Sequence, residues 1–179
     1  MAEPIPEATL VAGATGRVPE GAGWFVVNAA EAAGMSTERF GSAAAFEGAQ
    51  RFAEFGINVR VLAPGQPASL YHRENAQEAY LVVAGEALAI VEEQERPMGP
   101  GDLLHLPAGT AHVLVGAGDG PAIVVMCGTR KTPPEYVFPV SAAAARFDAS
   151  VAEETSDPRV AYAGIAPPRF GPVDVPWPR

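Results

Sequence analysis

Residues 71–85, YHRENAQEAYLVVAG, and residues 101–112, GDLLHLPAGTAH, decide how this chain is read. Each sets residues able to hold a metal on strand-like sequence beside turn-forming glycine or proline. In an extended strand, side chains two apart share a face, so His72 points with Glu74 and Glu78 points with Tyr80. A neighbouring strand that contributes His112 would make four ligand atoms converge.

Working outward, short β-type runs follow one another from Ile57 to Gly128: INVRVLAP, EAYLVVAG, EALAIVEE, DLLHLP, AHVLVGA and PAIVVMCG. Pro64-Gly65, Gly85, the polar residues 92–95, Pro100-Gly101, Pro107 to Gly109 and Gly118 to Pro121 punctuate them. Closely spaced short strands with Gly/Pro breaks and no intervening helical pattern predict an all-β antiparallel barrel or sandwich over residues 50–130.

The flanks have a different texture. Residues 1–22 are rich in Gly, Pro, Ala and Glu without periodicity and read as a loose arm. In residues 23–49, Trp24 to Asn28 (WFVVN) reads as a short strand, and the alanine-rich stretch after it as a helical turn or two, with Ser36 and Thr37 as caps. Residues 131–165 read as a helical extension: Ser141 can cap Ala142 to Ala145, and Asp157 with Pro158 can open a turn that Gly164 closes. The five prolines in the tail, residues 166–179, exclude helix and central strand, leaving an extended segment that either packs along a surface through Phe170 and Trp177 or remains disordered, with packing the expectation.

Composition narrows the function classes. With 12 Lys+Arg against 21 Asp+Glu the net charge is −9, a surface that repels phosphate backbones and anionic lipid, so nucleic acid and membranes are not expected partners. No apolar run reaches the roughly 20 residues that span a bilayer, and the expectation is a soluble, cytoplasmic protein. The single cysteine, Cys127, lies in the apolar run AIVVMCG and reads as a buried structural thiol.

The two opening stretches resemble the paired motifs of the cupin superfamily. Its first motif runs glycine, about five residues, His-x-His, three or four residues, Glu, six residues, glycine. Gly65 stands one position further upstream than that pattern, His72 takes the first histidine position, Glu78 the glutamate and Gly85 the closing glycine. Its second motif is matched without a gap by Gly101, Pro107, Gly109 and His112.

The resemblance implies a single-domain jelly-roll barrel, a divalent metal (Mn, Fe, Zn or Ni), a small-molecule ligand and a homodimer built by adding an N-terminal strand, here WFVVN, to a partner's sheet. It also implies the ligand set His72, Glu78 and His112. Glu74 stands where the family carries its second histidine, so a three-histidine site becomes two histidines and two carboxylates. Two glutamates neutralise a divalent ion, and hard oxygen ligands shift preference toward Mn or Fe.

Among the remaining candidates, Tyr80 and Glu74 are the expected catalytic groups, because both share a strand face with a ligand. His105 and Gln77 read as structural and surface residues. Arg60 alternates with Ile57, Val59 and Val61 and faces away from them, into solvent or into the pocket; solvent is the expectation. The function expected is a metal-dependent enzyme of dioxygenase, decarboxylase or isomerase type acting on a small polar metabolite. The alternative is a non-enzymatic binding or sensing module that uses the same pocket.

Overall fold

The computed structural model describes residues 3–177. Strands Thr9–Gly13 (β1) and Gly16–Glu20 (β2) pair as a hairpin. Strands Ala33–Thr37 (β3), Gly41–Ala45 (β4) and Phe55–Leu62 (β5) then run antiparallel in succession. Next come Arg73–Glu74 (β6), Glu78–Ala84 (β7), Glu86–Val91 (β8), Gln94–Met98 (β9), Leu103–Leu106 (β10), His112–Ala117 (β11) and Ala122–Thr129 (β12). Tyr136–Val137 (β13), the helices Ala142–Ala145 (α1) and Pro158–Ala161 (α2), and Arg169–Phe170 (β14) close the chain.

The larger sheet has the order β10-β7-β12-β5-β4-β3-β14 and the smaller one β11-β8-β9. Residues 65–72 lengthen the smaller sheet by running against β11: the Ala68 N–H donates to the Leu114 carbonyl, and His72 and His112 exchange both backbone bonds. Tyr80, Val82, Val124 and Met126 of the larger sheet meet Ala87, Ala89, Met98 and Leu114 of the smaller one in a shared core. Two antiparallel sheets closed around one core make a jelly-roll barrel: the run of short strands predicts an antiparallel barrel or sandwich, and the resemblance implies the jelly roll.

Register fixes which side chains enter the barrel. Across the larger sheet Asn58, Met126, Tyr80 and Leu104 stand in one row, Gly128, Glu78 and Leu106 in the row on one side, and Arg60, Val124 and Val82 in the row on the other. Residues directly opposite share a face, so all three rows point inward. Ile57, Val59 and Val61 consequently point outward.

That outer face is also apolar, and the flanks cover it. Val59 and Ile123 pack with Ala29, Ala32, Val173 and Val175 in a second cluster. On the other side, Ala144 and Ala149 at α1 cover Ile90, Val113 and Val115 of the smaller sheet. The Ser141 hydroxyl caps α1 by accepting from the Ala144 N–H at 3.0 Å, and Asp157 with Pro158 opens α2, as the sequence predicts.

Other expectations are corrected. The segment read as a loose arm contains the β1–β2 hairpin, and the alanine-rich segment forms β3 and β4 instead of helical turns. Pairing to β5 on a sheet crowded on its outer side overrides the helix propensity of alanine. WFVVN forms no strand within the chain: of its residues Trp24 alone makes a bridge, to Glu7. The tail does pack, but through Val173 and Val175, while Phe170 is exposed and Trp177 is largely peripheral. Cys127 is part-exposed, not buried. No helix among the described residues is long and apolar enough to cross a membrane.

Candidate metal centre

His72 and His112 sit on the smaller sheet, Glu78 and Tyr80 on the larger, and the barrel brings the two pairs face to face. Each histidine is oriented by the carbonyl two residues before it: His72 Nδ1 lies 2.8 Å from the Leu70 carbonyl and His112 Nδ1 lies 3.0 Å from that of Thr110. A carbonyl only accepts, so both Nδ1 atoms carry a proton, and each ring turns its Nε2 to the cavity. Phe138 stacks on His72 with ring centroids 5.9 Å apart, holding its plane.

The Tyr80 hydroxyl donates to Glu78 Oε1 at 2.7 Å and lies 2.9 Å from His112 Nε2, while Glu78 Oε2 lies 3.0 Å from the same nitrogen. Two oxygens therefore close on one nitrogen whose ring proton is already used on the other side. A cation between them, either a proton or a metal ion, satisfies that geometry. His72, Glu78 and His112 each offer a ligand atom, all within 4.8 Å of one another. Imidazole nitrogen and carboxylate oxygen suit a divalent transition ion, and backbone carbonyls behind the two histidines are the outer support such ligands require. The residues fit the metal that the sequence resemblance implies.

Burial tunes the site. Desolvation and the neighbouring His112 lower the pKa of His72, keeping it neutral. Desolvation raises Glu78, but hydrogen bonds from His112 and Tyr80 outweigh it and hold the carboxyl below its usual range. Glu74 is not one of the three converging residues. It lines the same cavity from β6, and desolvation together with the Glu78 carboxylate pushes its carboxyl up to about 7. Tyr80 is buried and raised well above its ordinary value, so it is a protonated phenol.

The cavity in front of the triad has a volume of about 190 Å³ and is also lined by Asn58, Arg60, Ser69 and Met126. That is below the roughly 300–1,000 Å³ of sites for drug-sized ligands, a size with room only for a small molecule. Arg60 corrects the expectation of a solvent-facing side chain: its place in the inward row puts it in this cavity. Alternation along β5 had left two possibilities, and only the register with β12 decides between them. His105 pairs with Ala79 on the outer face and is exposed, away from the site.

Residues 58–128 match the cupin domain family. No curated protein matches the chain. Among solved structures the chain is similar to a sugar phosphate isomerase of the cupin superfamily from Silicibacter pomeroyi DSS-3, at 32% identity over 53% of this chain and 62% of that one, with a TM-score of 0.49. It is also similar to a cupin 2 conserved barrel domain protein from Salinispora arenicola, at 21% identity over 55% and 82% of the two chains and a TM-score of 0.48. A DMSP lyase from Ruegeria pomeroyi DSS-3 shares 26% identity over 46% of this chain and 43% of its own, with a TM-score of 0.41. The chain thus spans less than two thirds of the isomerase and less than half of the lyase. The match to the cupin domain family thus covers residues 58–128, the greater part of the barrel.

Proposed function

We propose that the protein is a metal-dependent enzyme acting on a small polar metabolite, with chemistry of the dioxygenase, decarboxylase or isomerase type. The observation that carries this reading is the convergence of His72, Glu78 and His112 within 4.8 Å at a small cavity, with the Tyr80 hydroxyl in contact with two of them. A triad kept only for structure would leave a carboxylate and two imidazoles in a cavity lined by Leu114 and Met126, an arrangement that costs stability.

His72, Glu78 and His112 would hold the ion, which supplies Lewis acidity toward a substrate oxygen. Tyr80 keeps its phenolic proton on Glu78 and orients the substrate by accepting a hydrogen bond at its oxygen. Glu74 stands beside the triad as the proton-transfer group. The core behind Tyr80 excludes water from one side of the cavity.

The test is elemental analysis of the purified protein, followed by a turnover screen over small hydroxy- and oxo-acids and sugars with and without chelator. Near-stoichiometric metal, sharply reduced in His112→Ala, and a turnover that chelation abolishes and one added ion restores are the expected results. Stoichiometric metal surviving in both His72→Ala and His112→Ala overturns the ligand set. Saturable binding without turnover of any compound would favour the binding or sensing module.

A further inference from the structure

The cavity holds a cation that has no ion-pair partner among the described residues. Arg60 faces inward, yet among the described residues it makes no ion pair or side-chain hydrogen bond, and its Nε is out of solvent without a partner. Asn58, two residues along β5 and on the same face, has its Oδ1 buried without a partner as well. Glu78 shares the cavity but commits one oxygen to Tyr80 and the other to His112. Glu74 and Glu78 line the same cavity without pairing with Arg60, and the groups whose charge bears on the guanidinium are the phenols of Tyr80 and Tyr162, which are neutral and do not balance it. Desolvation lowers the Arg60 pKa, the usual mark of a charge withdrawn from water without compensation.

Buried charges are ordinarily paired, and an unpaired one persists where a ligand completes it. The guanidinium is a planar fork matched to a carboxylate in two parallel hydrogen bonds, while a phosphate dianion calls for more charge than one arginine brings. The neighbouring Asn58 oxygen needs a donor, which a hydroxyl or amino group on the same ligand would provide. Because Asn58 shares a row with Tyr80, and Arg60 lies in the next, an anchored molecule would extend along the sheet from Arg60 toward the triad.

We propose that Arg60 is the anchor for a carboxylate of the substrate, with Asn58 reading an adjacent hydroxyl or amino group, so that the substrate class is a small hydroxy- or amino-carboxylate. This inference rests on the reading of the cavity as the substrate site.

The experiment is calorimetric titration of glycolate, acetate and inorganic phosphate into the metal-loaded protein, into His112→Ala stripped of metal, and into Arg60→Met and Arg60→Lys. Glycolate should bind the wild type more tightly than acetate and phosphate. Arg60→Met should weaken glycolate by tenfold or more, the order of magnitude of a lost charge-assisted hydrogen bond, with metal content unchanged. Arg60→Lys should fall between, since it keeps the charge but loses the fork, and it serves as the reading if the methionine variant does not fold. Glycolate binding that is equal in wild type and both variants, or phosphate binding that exceeds glycolate and depends on Arg60, overturns the proposal. The stripped His112→Ala protein separates the two readings: binding there that still depends on Arg60 upholds the anchor even if the metal assignment fails.

Discussion

A histidine offers a metal whichever ring nitrogen its other nitrogen leaves free, so the carbonyls of Leu70 and Thr110 matter as much as the imidazoles they orient. Glu74 is the residue at which this chain departs from the family pattern, and its position separates two roles. It lines the cavity beside Glu78 but is not among the residues whose ligand atoms converge. Glu74→Gln should therefore leave metal content near the wild-type value while lowering turnover by about 10²–10⁴-fold, because an amide cannot carry a proton. Loss of metal in that variant would make Glu74 a ligand; unchanged turnover would make it a bystander at the barrel mouth. The spacing in the sequence made His72, Glu78 and His112 legible, whereas the side that Arg60 faces was not, since alternation fixes parity but not which face is inside.

At the scale of elements, the runs from Ile57 to Gly128 match β5, β7, β8, β10, β11 and β12 within two residues at each end, because each is apolar enough to mark itself and is bounded by a turn residue. Strand β9 escaped because its residues 94–97 are exposed and polar, and because its hairpin turns on Glu92 and Glu93, both at positive φ, where Asn-Gly would have announced the turn. The alanines of β4 escaped because their environment, not their propensity, makes them strand. Glycine positions carry a prediction of their own. Gly85 joins β7 to β8 where the chain passes between sheets; its φ is 71° and a Cβ there would stand 2.3 Å from the Pro121 carbonyl oxygen. Gly109 has a φ of 85° but open space around it. Gly85→Ala should cost about 2–4 kcal/mol, from left-handed strain plus displaced backbone, and Gly109→Ala only about 1 kcal/mol. Chemical denaturation of the two variants checks the difference, and equal losses would refute the role assigned to the Pro121 contact.

Taken as a whole molecule, the barrel is two sheets whose shared core is supplemented by polar contacts at one end, where the smaller sheet provides His72 and His112 and the larger provides Glu78. An ion held by all three would tie the sheets together across that end and would bind only the folded chain, since the unfolded chain scatters its ligands over 41 positions from His72 to His112. Binding of this kind stabilises by about 2.7 kcal/mol when free metal is a hundredfold above its dissociation constant. In a chain of 179 residues each kcal/mol moves the melting temperature by about 2–4 °C, so chelation should lower Tm by about 5–11 °C. The same treatment should leave the Tm of His112→Ala unmoved, because that variant has no ion to lose. Scanning calorimetry of both proteins with and without chelator reads the two outcomes together. A wild-type Tm that does not change after elemental analysis has verified metal removal would refute the idea that the ion braces the sheets, while a chelator effect of equal size in His112→Ala would place the stabilising metal somewhere other than this triad.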